Sequence, residues 1–103
     1  MSVENYLRQN QAAIKQECQA INESGSKAII TLKKEGESYT CKVSTVEEFT
    51  AAIPNNNFFK TMRDSIRTAV VNKIIPIIVF EGQEAKIISL PDEFKYEKNT
   101  KKN

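Results

Sequence analysis

The chain has 103 residues, 40% of them hydrophobic and 27% charged, with a formal net charge of +2. That is one domain of ordinary size, able to bury a core without staples, and its composition reads as soluble and globular, not collagenous, low-complexity or disordered. Histidine is absent, which removes the commonest general base near neutral pH, any Ser-His or Cys-His nucleophile pair and most zinc sites.

The charge is unevenly spread. Residues 1–94 carry eleven Lys/Arg against twelve Asp/Glu, a balance of −1, whereas 95–103, "KYEKNTKKN", carry four Lys and one Glu, a balance of +3. The expectation is one domain over 1–94 and a disordered lysine-rich tail over 95–103. "MSVENYLRQN" has neither the basic nor the apolar region of a signal peptide. The apolar run at 74–80 is far short of the roughly 20 residues that cross a bilayer. A cytoplasmic chain with two reduced cysteines and no membrane contact is therefore expected.

Residues 2–23 read as one long helix. Ser2 suits its N-cap, and Val3, Leu7, Ile14, Cys18 and Ile21 share one face, interrupted at Asn10 and Gln11. "SGS" at 24–26 ends it, with Gly25 suited to a left-handed position.

"KAIITLKKEGESYTCKV", 27–43, reads as a β-hairpin turning at Glu35–Glu37. A Glu35-Gly36 loop sets Leu32 opposite Tyr39, Ile30 opposite Cys41 and Ala28 opposite Val43. A Gly36-Glu37 loop keeps the same residues on the same faces. The other face holds Thr31, Lys33, Ser38, Thr40 and Lys42, with Ile29 its one apolar member, so one face is expected buried and the other wet.

Ser44 with Glu47, or Thr45 with Glu48, forms a capping box for a short helix over about 46–53. Pro54 and "NNN" at 55–57 break the chain. A second long helix follows over about 57–73, with Phe59, Met62, Ile66, Ala69 and Val70 on its apolar face.

"IIPIIVF" and "AKIISL" flank "EGQE", a second hairpin with a Gly82-Gln83 loop. The pairs are Ile77 with Ile88, Ile75 with Leu90, Phe80 with Ala85 and Ile78 with Ile87. Both faces are apolar, so both need cover, from the N-terminal helix or from a second copy of the chain. Pro76 lacks an N–H, which points to an edge strand or a bulge. Superposing Glu35-Gly36 on Glu81-Gly82 also matches Lys27 with Lys73, Ile29 with Ile75 and Glu47 with Glu93, identities that barely exceed chance and suggest at most an architectural echo, since the helical phases do not align under the same offset.

The fold class expected is α+β: helix, hairpin, helix, hairpin (α-β-β-α-α-β-β), with a four-stranded antiparallel sheet packed against helices. No pattern for a metal, cofactor or small-molecule substrate emerges. Three scattered glycines make no phosphate loop, and two cysteines without histidine cannot complete a structural zinc site. The acidic pairs Glu47-Glu48, Asp92-Glu93 and Glu81 near Glu84 read as solvated surface, and Cys18 and Cys41 as small buried hydrophobes.

Recognition is assigned to the cationic face of the second long helix, Lys60, Arg63 and Arg67, extended by Lys73, with Phe58 beside it. A possible apolar interface comprises Ile75, Ile77, Val79 and Ile88. The function expected is a small non-enzymatic protein–protein interaction module, a regulator, inhibitor or accessory subunit, with homodimerisation a further expectation. The alternative is a nucleic-acid-binding accessory protein using the basic face 60–73 and the tail. Lysine outnumbers arginine 12 to 3, a bias that fits an AT-rich coding genome such as a phage or mobile element.

Overall fold

The computed structural model describes residues 2–88. The tail at 95–103 and the Ile75–Leu90 pair involve positions outside them. The elements are α1 (Val3–Gln9), α2 (Gln11–Glu23), β1 (Ala28–Glu35), β2 (Ser38–Thr45), α3 (Val46–Ala52), α4 (Asn57–Val71), β3 (Ile77–Glu81) and β4 (Glu84–Ile88). The α+β class and the element order are as expected.

The expected single N-terminal helix is divided at Asn10, whose backbone departs from helical geometry at φ −113° and ψ 19°. The Asn10 amide donates to the Tyr6 carbonyl at 2.9 Å, a side-chain bond that competes with the helical ladder. Ser2 caps α1 by accepting from the Asn5 N–H at 3.1 Å. The expected stripe stays on one side across the break: Leu7, Ile14 and Cys18 are buried, and Val3 and Ile21 pack against the same core.

Both long helices, α2 and α4, end the same way. After α2, the Gly25 N–H donates to the Asn22 carbonyl and Ser26 to Ile21; after α4, Lys73 donates to Val70 and Ile74 to Ala69. This is the Schellman arrangement, whose C′ residue must be left-handed. Gly25 takes φ +92° at no steric cost, but Lys73 takes φ +60° with a full side chain. Between β2 and α3 the second of the two capping boxes forms: Thr45 Oγ1 accepts from the Glu48 N–H at 3.0 Å, and Glu48 Oε1 accepts from the Thr45 N–H at 3.1 Å. Asn56 caps α4 by accepting from the Phe59 N–H at 3.0 Å.

The first hairpin turns on Gly36-Glu37, pairing Glu35 with Ser38, Leu32 with Cys41 and Ile30 with Val43. The second turns on Gly82-Gln83 in the expected register, with Ile77 opposite Ile88, Ile78 opposite Ile87 and Phe80 opposite Ala85. The sheet order is β2-β1-β3-β4. Its two hairpins are antiparallel, but β1 and β3 run parallel, Ile30 beside Ile77 and Leu32 beside Val79. The expected all-antiparallel sheet is therefore a mixed one.

Pro76 is corrected with it. Its strand is internal, not an edge, and carries no bulge among the paired positions. Pro76 stands just before the first paired residue and accepts from the Ile30 N–H at 3.0 Å. Having no N–H of its own, it ends the parallel ladder there.

The two sheet faces carry two separate cores. Ala28, Ile30, Leu32, Ile77 and Val79 meet Leu7, Ile14 and Cys18 from α1 and α2. Ile29 and Ile78 meet Phe49, Met62 and Ile66 from α3 and α4. The N-terminal helices thus take one side of the apolar ribbon and the later helices the other, and one chain supplies both layers.

The first hairpin is accordingly not wet along the whole of its second face. Ile29 has no exposure and Ser44 is buried, whereas Lys33, Thr40 and Lys42 on the same face reach solvent. The helical layer covers only the end of the hairpin remote from its turn.

Among the described residues no helix is long and apolar enough to cross a membrane.

Two substitutions on that one face separate the covered end from the open end. Ile29→Ala should destabilise by about 2–5 kcal/mol in urea unfolding, and Lys33→Ala should stay within about 0.5 kcal/mol. At the helix ends, Lys73→Gly should raise stability by up to about 1 kcal/mol by relieving a left-handed lysine. Gly25→Ala should lower it by about as much, and thermal melts of the two variants give opposite shifts.

Candidate functional site

The recognition residues expected on α4 divide into three groups. Lys60, Asp64, Arg67 and Val71 recur at intervals of four, three and four, one stripe of a helix, and all four are exposed. This stripe lies opposite Met62 and Ile66, which α4 buries in the core. Arg67 stands 3.6 Å from Asp64, an exposed pair that adds little stability but lowers the local positive field.

Arg63 does not belong to that surface. One terminal nitrogen of its guanidinium donates to the Thr50 and Ile53 carbonyls, both at 3.1 Å. These belong to the last turn and C-cap of α3, where carbonyls have no partner within the helix. Arg63 is thus a clamp between α3 and α4, a structural role that its assignment to partner binding did not include. Cation spacing on α4 gave no hint of this, because the acceptors lie on another element.

Phe58 is 52% exposed and packs edge-on against Phe59, ring centroids 4.9 Å apart at 80°. Phe59 is anchored in the core beneath α4, so the pair holds Phe58 at the surface. Lys73 is exposed in the turn after α4. Val71 and Ile74 flank that turn and are 73% and 37% exposed. Sequence reading missed these two. Ile74 opens the apolar run 74–80, and the one signal in the sequence is that Val71 falls on the polar stripe of α4.

The expected apolar interface is largely interior. Ile75, Ile77 and Val79 are buried beneath α1 and α2, and only Ile88 is half-exposed. A strand covered on both sides has no apolar face left to offer. Ile88 does line an open groove of about 350 Å³ between the C-terminal end of α4 and β4, together with Ala69, Ile74, Pro76 and Ile87. Ser65 and Thr68 of α4 and Asn72 at its C-cap also line it.

Neither cysteine is in a disulfide. Both belong to the core under α1 and α2, Cys18 buried and Cys41 half-buried. Burial pushes the Cys18 thiol up to about 11, with smaller contributions from neighbouring Cys41, once ionised, and from Glu17. Burial, then Glu17, pushes Cys41 to about 11 as well. Tyr6, stacked at a tilt 5.7 Å from Tyr39, is also raised, by burial and then by Cys41. Thiols held in the neutral form are poor nucleophiles and poor metal ligands. Among the described residues no three His, Cys, Asp or Glu side chains gather where they could hold a metal ion.

Arg63→Ala should cost about 1–3 kcal/mol, since it strips a charged donor from two carbonyls. Arg63→Lys should recover only part of that, and urea unfolding of the two variants reads the difference. The thiols set an alkaline limit. Both acids are raised on folding, so the folded state holds protons that the unfolded state releases above pH 9. Their contribution is whole below the unfolded value of about 9 and fades as pH rises through about 11. A Cys18→Ala/Cys41→Ala double variant should lose less stability between pH 8 and 10.5 than the parent. At pH 8 both thiols should react slowly with an aromatic disulfide reagent, and rapidly once urea unfolds the chain.

Compared with known proteins, the chain matches no family model, no curated protein and no solved structure.

Proposed function

We propose that the chain is a non-enzymatic protein–protein interaction module, a small regulator, inhibitor or accessory subunit, and that α4 with its exit turn is the element it presents. One observation carries the reading. Among the described residues, the large apolar side chains left in water are Phe58, Val71 and Ile74, and all three belong to α4 or the turn that follows it. Apolar side chains in water are ordinary when scattered. Here they stand at the two ends of one helix, Phe58 in its first turn near Lys60 and Val71 with Ile74 at its exit near Arg67 and the strained Lys73, and each end joins an apolar anchor to a cation, a mix that partner surfaces favour.

The chemistry of the chain supports contact over catalysis. It has no imidazole, and both thiols are held protonated. The nucleic-acid alternative rests on fewer cations than the sequence offers, because Arg63 is spent on α3 and Arg67 stands beside Asp64.

The test uses three immobilised chains: the parent, Phe58→Ser/Val71→Ser, and Glu37→Ser in the first hairpin turn as a distant surface control. Matching urea midpoints establish that all three are folded. A partner retained from source-cell lysate by the parent and the control, and weakened roughly tenfold or more by the double variant, supports the reading. Equal retention by all three overturns it. Retained nucleic acid whose binding collapses as salt rises favours the alternative.

A further inference from the structure

We draw no further inference here: the strongest candidate, the open groove between the C-terminal end of α4 and the edge strand β4, is an apolar face without a partner among the described residues, and nothing in the structure shows what covers it.

Discussion

The parallel pairing of β1 with β3 is the constraint on which the rest of the molecule depends. It sets Ile30 beside Ile77 and Leu32 beside Val79 in the middle of the sheet. Each strand brings its own antiparallel neighbour, so this one seam turns two hairpins into a four-stranded sheet. Isolated hairpins are marginal in water, and a sheet needs more strands or a packed helix layer to persist. Because strand side chains alternate between faces, the seam presents apolar residues to both sides and demands a helical layer on each. The layers are α1 and α2 over Ile30 and Val79, and α3 and α4 over Ile29 and Ile78.

The arrangement has an approximate internal symmetry. α2, β1 and β2 follow one another through a left-handed helix stop and a turn that begins with glycine. α4, β3 and β4 repeat that order, with Lys73 where the first unit has Gly25, and Gly82 where it has Gly36. The sheet order reads outer, inner, inner, outer from either edge, the inner strands are parallel, and the helices lie on opposite faces. Topologically this is a two-fold axis running along the strands between β1 and β3. The faint sequence echo around the two Glu-Gly turns agrees with this order in the strands but not at the helix stops, where Lys73 takes the place of Gly25 and not of Lys27. The N-terminal parts differ: α1 nearly continues α2, while α3 is a separate helix clamped to α4 by Arg63.

What the sequence disclosed is what short-range rules encode. The Thr45 box, the Gly25 stop, both turns and the register of the second hairpin from Ile77–Ile88 to its turn involve residues a few positions apart, each with its own chemical mark. The stripe Val3, Leu7, Ile14, Cys18, Ile21 was legible because helical period is a local property. The seam was not legible, since parallel strands are joined by no turn whose residues would announce them. Without the seam, the cover over Ile29 and the internal position of β3 could not be foreseen, and Pro76 looked like an edge marker instead of the end of a parallel ladder. The candidate site followed the same division. The outward stripe of α4 could be drawn from spacing, whereas the destination of Arg63 and the exposure of Ile74 depended on how α3 and β3 pack.

The seam also governs how the molecule assembles in time. Ile30 must find Ile77 across nearly half the chain, and neither hairpin can be covered on both sides until it does. Closing so long a loop costs entropy before any contact rewards it, and such topologies fold slowly for their size. Each hairpin, with its glycine turn, can form early and locally. On these grounds the docking of the two is the step expected to limit folding, with the isoleucines of β3 uncovered on one face or both until it occurs. Such an order would leave the most adhesive strand of a newly made chain open to other molecules for as long as the seam is unmade.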